Sequence, residues 1–315
     1  MKFQAIVLGF CLALPTSVFA SEPSTTAVRQ ALDAVPRDPH AVINQSHYVV
    51  SNEFHHHTLR SHVKPTGGVY IGIGTDQNFI LIPWAKPRYA VMLDLDQVIV
   101  NVHRVYEVAF RVSKTPSDFR LFFAPGRQAR SRRAIQATVK DPALRRVVKN
   151  TLRRYRASIY KRLNRVRGIL RRSGVKAYLT DQDTYDFLAT MCREGRFYAI
   201  RGDLTGTKSM RGMAAVFRRF GLQVGTIFFS NAERYFKYTG AFKTNMRSLP
   251  FGPQAEVIRT SKNPNPRTYQ YYFQAASGFL AWLSRPKVRR VKQIVKAGTR
   301  TKTRRVYRVE KSPGS

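Results

Sequence analysis

The sequence is poor in the residues that most often carry covalent or metal chemistry. Two cysteines, Cys11 and Cys192, stand in 315 residues, so no C-x-x-C pair exists for a zinc or redox centre. A G-x-S-x-G elbow and a P-loop G-x-x-x-x-G-K are both absent, which removes two common hydrolase signatures. Acid is scarce as well: 18 Asp and Glu face 55 Lys and Arg, a formal net charge of +37. Such a field attracts anionic polymers, whether nucleic acid, acidic glycan or an anionic lipid surface, and says nothing about fold. A hydrophobic share of 43% is enough for a packed core and excludes a disordered polycation.

The first twenty residues read as a secretory signal. Lys2 gives the positive start, Ala5–Leu14 the apolar stretch, and Val18-Phe19-Ala20 a small-x-small cleavage site. The stretch is too short to span a bilayer, and no transmembrane span is expected after cleavage behind Ala20. Phe10 before Cys11 argues against a lipoprotein site. Cys192 then remains alone, so no internal disulfide can form, and the expected location is periplasmic or secreted.

Residues 21–46 carry Pro, Ser, Thr and scattered charge and read as a linker, with one short helix near Thr26–Ala34. The domain begins near His47. Val69–Ile73 is a run of β-formers interrupted by Gly72 and followed by Gly74, where backbone lacking a Cβ can pass close to a ligand. A second strand, Tyr89–Leu93, stops at Asp94, twenty positions past Gly74. That spacing sets a carboxylate beside a ribose in Rossmann-type sheets. Gln77 stands where a third glycine would complete G-x-G-x-x-G, so no pyrophosphate cradle is expected.

A helix over Asp96–Val112 follows, carrying His103 and Tyr106. Ser117–Phe123 is short and apolar, and Gly126–Arg133 reads as basic and irregular. Asp141-Pro142 opens a long helix and Ser173-Gly174 closes it. Its apolar residues form one stripe, and almost every other position is Arg or Lys, Arg162 among them. The spacing then gives a strand at Val175–Leu179, a helix at Asp181–Glu194, a strand at Arg196–Ile200 and a helix at Lys208–Phe220. A strand at Leu222–Phe229, another at Ala255–Arg259 and a helix at Thr268–Leu283 complete the domain. Alternation of this kind predicts an α/β fold with a mostly parallel sheet. The domain covers 47–284, with a basic helical insertion at about 113–174. Residues 285–315 read as a basic tail or a small appended hairpin. Consecutive His55, His56 and His57 point to opposite faces of a strand, and no metal site is assigned to them.

Several segments together resemble a known family: Ser51-Asn52-Glu53, Gly67–Asn78, the strand ending at Asp94 with His103 nine residues on, Arg196–Gly206, and Phe228–Phe236 followed by Asn245 and Leu249-Pro250. They cover about half the chain and resemble an uncharacterised bacterial family of spirochaetes and proteobacteria. Its fold is Rossmann-like, of the S-adenosylmethionine (SAM)-dependent methyltransferase type. The resemblance implies a crevice at the carboxyl ends of the strands, with Gly72 and Gly74 approaching a ligand backbone-first. Asp94 would take the ribose hydroxyls and Asp203 an adenine-like amine. Ser230 and Asn231 would lie at the acceptor side, Asn52 and Glu53 would close over the site, and Gln77 and Asn78 would fix the turn. His103 and Asn231 are the candidate catalytic residues. Local roles also suit these side chains: a helix cap for Asp203 and Asn231, turn chemistry for Asn78, a buried structural histidine for His103. No Asn-Pro-Pro-Tyr follows the fourth strand, so amino-group methylation is not supported.

Two functions fit. One is an exported binding protein that keeps the fold and takes a nucleoside-type or other small ligand in the crevice, or an anionic polymer on its basic helix and tail. The other is an active SAM-dependent methyltransferase of unknown acceptor. Export favours the first, because a periplasm is not expected to supply SAM.

Overall fold

A computed structural model describes residues 23–262 and 269–310; the signal-like segment lies outside them. At its centre is a sheet of eight strands: β1 (Val69–Ile73), β2 (Tyr89–Asp94), β3 (Phe197–Arg201), β4 (Val224–Phe228), β5 (Phe251–Lys262), β6 (Tyr269–Ala275), β7 (Thr299–Arg300) and β8 (Val306–Arg308). They lie in the order β3-β2-β1-β4-β5-β6-β8-β7. The first five are parallel, β6 runs antiparallel to β5, and β8 is parallel to β6. This is the expected α/β, Rossmann-like, mostly parallel sheet. Every residue of β1 and β4 is buried, as befits central strands covered by helices on both faces.

Helices α1 (Thr25–Asp33), α2 (Asn78–Ala85), α3 (Gln97–Val112), α4 (Pro116–Phe122), α5 (Gln128–Thr138), α6 (Pro142–Ser173), α7 (Gln182–Arg193), α8 (Ser209–Arg219), α9 (Gly240–Ser248), α10 (Ala276–Ser284) and α11 (Val291–Val295) divide between the two faces. The core beneath α2, α3, α6 and α7 includes Tyr70, Phe79, Tyr106, Phe110 and Leu163. The core beneath α1, α8, α9 and α10 includes Val69, Ile71, Leu32, Phe217, Phe242 and Phe279. Neighbouring strand residues feed opposite cores because successive side chains alternate across a strand. The stretch α4–α6 falls between β2 and β3 in the chain. Asp141 caps α6 by accepting from the Ala143 amide at 2.9 Å, and Gly174 ends it in the left-handed conformation at φ +66°.

Several segments differ from the sequence expectation or go beyond it. Gly126–Arg133 is mostly helix α5 rather than irregular chain. Val175–Leu179 is not a strand; Ala177, Tyr178 and Leu179 are buried in a turn that leads into α7. The expected helix Thr268–Leu283 is, from Tyr269 on, strand β6 followed by α10, and Thr268 lies outside the described residues. Tyr269, Tyr271 and Phe273 alternate into one core, and aromatic residues at that period favour the pleated form. Residues 285–310 take the hairpin alternative and go further: β8 joins the sheet beside β6, and Val288, Ile294, Val306 and Val309 are buried. Residues 23–46 are also more than a connection, since Val28, Leu32, Val35 and Asp38 are buried against the domain. No helix among the described residues is long and apolar enough to cross a membrane.

Candidate functional site

The strand order reverses direction at β1, with β2 on one side and β4 on the other, and a crevice opens there at the carboxyl ends, as the topology of open α/β sheets requires. About 950 Å³ of open space, mouth included, lies between Ile73-Gly74, Leu93-Asp94, Gly202-Asp203 and Ser230-Asn231. Residues 46–52 cross above it as a strap. Tyr48 and Tyr235, 45% and 43% exposed, flank the opening. Three carboxylates line the space, those of Asp94, Asp96 and Asp203. Among the described lining residues there is no Lys or Arg. In a chain of net charge +37, this crevice is an acidic island.

Asp94 ends β2 opposite Arg201 of β3. Its Oδ1 accepts from the Asp96 amide at 2.9 Å, and the Gly74 and Leu95 amides also point at the carboxyl. Burial, reinforced by the Asp96 charge, outweighs those donors and pushes the group up to about 7. Gly74 takes φ +85°, and a Cβ there would stand 2.5 Å from Gln77 Nε2, so only glycine fits this turn. Gln77 lines the crevice and donates to Ser230 Oγ at 3.3 Å. Ser230, at φ +53°, is turned so that its hydroxyl donates to Glu53 Oε1 at 2.5 Å. Asn52 and Asn231 line the crevice, and neither side chain has a hydrogen bond among the described residues.

Asp203 lies in the crevice wall, where its Oδ1 accepts from the amide and the hydroxyl of Thr205 at 2.7 and 2.8 Å. It does not cap α8. That work falls to Asp38, whose carboxylate accepts from the amides of Asp203, Lys208 and Ser209, each at 3.1 Å. Burial raises its carboxyl, but these amides together outweigh burial and hold it below the ordinary range. Gly206 passes so close that a Cβ would meet Asp38 Oδ1 at 2.4 Å. Sequence reading missed Asp38 because it sits in apparent linker, where no local pattern marks it.

Four candidates lie away from the crevice wall. Gly72 is close-packed by Asn78 and Met92, where a Cβ would stand 2.2 Å from Asn78 Oδ1; its missing side chain makes room for protein, not ligand. Asn78 is fully buried, bonded to Tyr70 Oη at 2.9 Å and to the carbonyls of Ile73 and Thr75 at 3.1 Å each. Glu53 is buried beneath the strap, where it also accepts from Thr260 Oγ1 at 2.9 Å and faces His56 Nε2 at 3.3 Å. It ties strap, β4 and β5 together from below. His103 is fully buried between Phe79 and Phe197. Its Nε2 donates to the Gly74 carbonyl at 2.7 Å, which fixes the neutral tautomer with Nδ1 unpartnered. Burial holds its pKa down at about 4. His103 therefore props the glycine turn from behind and does not face the crevice. The histidine run is a 3-10 turn, with His56 buried and His55 at φ +72°.

A further buried link was not anticipated. Asp76, between crevice-lining Thr75 and Gln77, accepts from the Ser51 amide at 2.8 Å and from Arg162 Nε at 2.7 Å. Arg162 Nη2 also donates to the Glu53 carbonyl at 2.9 Å. Arg162 is thus buried beneath the strap rather than part of the exposed basic face of α6.

Sheet order, glycine turn and strand-end carboxylate define a Rossmann-like α/β domain. The chain belongs to the family described as "Domain of unknown function (DUF7790)", whose model matches residues 48–310. No curated protein matches it. Among solved structures it is similar to an rRNA methyltransferase, AviRa, from Streptomyces viridochromogenes, at 12% identity, over 81% of this chain and 79% of that one, with a TM-score of 0.29.

Proposed function

We propose that the crevice holds an adenosine-type ligand without phosphates, for which SAM and S-adenosylhomocysteine serve as probes. The observation that carries this reading is the lining itself: three carboxylates and no basic side chain among the described residues, in a strongly basic chain. A phosphate or pyrophosphate would meet repulsion and no counter-charge there. A ribose diol and a sulfonium centre suit the same wall, the diol on Asp94 and the cation in the field of Asp94 and Asp96. Gly74 leaves room for close approach, and Asn52 and Asn231 have free amides to contribute.

Calorimetric titration with SAM and S-adenosylhomocysteine tests the reading, alongside Asp94→Ala. Binding that is lost in the variant supports it; flat traces with the unsubstituted protein overturn it. The pH dependence gives a second handle. A hydroxyl-binding Asp94 must be ionised, and its pKa is about 7. Affinity should rise about tenfold from pH 6 to pH 8, and Asp94→Asn should abolish the rise.

Methyl transfer is the second reading, favoured by the open mouth beside Ser230 and Asn231. It would proceed through alignment of donor and acceptor, since His103 does not face the crevice. We also propose that the protein is exported, on the signal-like character of residues 1–20. N-terminal sequencing of the protein from an envelope fraction tests this, with Ser21 as the expected first residue.

A further inference from the structure

Residues 127–172 hold 14 Arg and 3 Lys against a single acid, Asp141. On α6 the apolar stripe of Val148, Leu152, Ile159, Leu163, Val166 and Leu170 is spent on the core. The opposite face presents Arg146, Arg153, Arg154, Lys161, Arg165 and Arg172, all exposed. Among the described residues Arg162 alone on this helix pairs with a carboxylate. At 1.5 Å per residue the face runs about 40 Å. Helix α5 packs against α6 and extends it with exposed Arg130, Arg132 and Arg133.

This face leads to the crevice. Arg165 lies over the Phe54 ring, its Cζ 4.0 Å from the ring centre, and Phe54 stands two residues beyond crevice-lining Asn52. Across the opening, exposed Arg234 adjoins Tyr235. Three features select among polyanions. Arginine outnumbers lysine, and its planar fork suits phosphate oxygens. The exposed face carries no apolar anchors to enter a bilayer, which separates it from an interfacial membrane helix. The exposed aromatic pair, Tyr48 and Tyr235, offers π-faces at the mouth, and a basic track joined to aromatic platforms is how single strands are held.

The geometry points to a single-stranded nucleic acid as the partner: its backbone lies on the α5–α6 face and one base stacks on Tyr48 and Tyr235 at the crevice mouth. The backbone track stands independently of the ligand reading above, whereas entry of a base at the mouth deepens that reading.

Fluorescence anisotropy with a labelled 12-nucleotide single strand, at 50–300 mM salt, tests this on the full chain; duplex of equal length, heparin and anionic vesicles are the competitors. With about six phosphates engaged, log affinity should fall against log salt with a slope near −4. Arg153→Glu, Arg154→Glu and Arg165→Glu together should weaken binding at least thirtyfold and flatten the slope, while calorimetric SAM binding stays intact. Tyr48→Ala with Tyr235→Ala should weaken it about tenfold at unchanged slope, as loss of one stacked base requires. Circular dichroism establishes that both variants fold. Three results would overturn the proposal: heparin or vesicles competing as well as the single strand, an affinity indifferent to the arginine changes, or one indifferent to the tyrosine changes. A flat SAM titration beside intact strand binding rejects the adenosine reading alone.

Discussion

Truncating Arg162 leaves Asp76 buried without its charged partner, and removing one member of a buried ion pair costs about 3–5 kcal/mol. Arg162→Met should therefore lower unfolding free energy by that order in denaturant melts, and Asp76→Asn on top of it should recover part of the loss. Parallel melts of Arg162→Met and the unsubstituted protein would contradict the buried pair. Asp94 gives a pH effect of definite sign. Its folded pKa, about 7, lies above the unfolded value near 4. The native state then holds the extra proton, so this group's contribution to stability is complete below pH 4 and declines as pH rises toward 7. His103, held at about 4, acts in the opposite direction over the same window. Only a difference between variants separates them: Asp94→Asn should gain about 2.5 kcal/mol on the unsubstituted protein between pH 5 and pH 8. At this scale the sequence was legible where spacing alone decides position, as with Gly74 and Asp94. It misled where the decisive neighbour was distant. Gly72 is explained by Asn78 and Met92, and His103 by a carbonyl 29 residues away. Arg162 had a local clue, since it falls three residues after Ile159 and four before Val166, on the edge of the apolar stripe.

Helix α6 is a single element carrying unrelieved like charge. Pairs such as Arg146 with Lys149 and Arg153 with Arg156 or Arg167 with Arg171 sit one turn apart, and each repulsion costs a few tenths of a kcal/mol. Screening or an anionic ligand should relieve it. Thermal melts in tripolyphosphate are expected to show a midpoint several degrees above melts in equimolar chloride. No shift would mean that the face is already relaxed by solvent. Caps and stripe made α6 readable almost to the residue, because both signals are local. The stretch from Tyr269 was not, because its aromatics satisfy a period of 3.6 and a period of 2 together. What decided it was the free edge of β5, waiting for a partner with the antiparallel register Ile258 to Phe273.

Across the whole molecule, the C-terminal residues carry the sharpest contrast between a basic appendage and a structural part. Deleting 286–315 removes β8 from β6 and uncovers Tyr271, Tyr272 and Phe273, which are buried. The truncated protein should melt well below the full chain or collect as aggregate; an unchanged melting curve would show that β8 contributes nothing. The overall architecture was readable because strands and helices alternate in order. The place of the last hairpin was not, since its few apolar residues, such as Val306 and Val309, are scattered among arginines and mark no period.

The stretch before Tyr48 changes what counts as the smallest autonomous unit. Family matching starts at residue 48, yet Asp38 anchors three amides of the β3–α8 loop and His47 meets Asp96 at 2.7 Å. A fragment cut at the boundary of sequence similarity would keep the strands and lose one rim of the hollow they surround, so its failure to bind anything would say nothing about the intact protein.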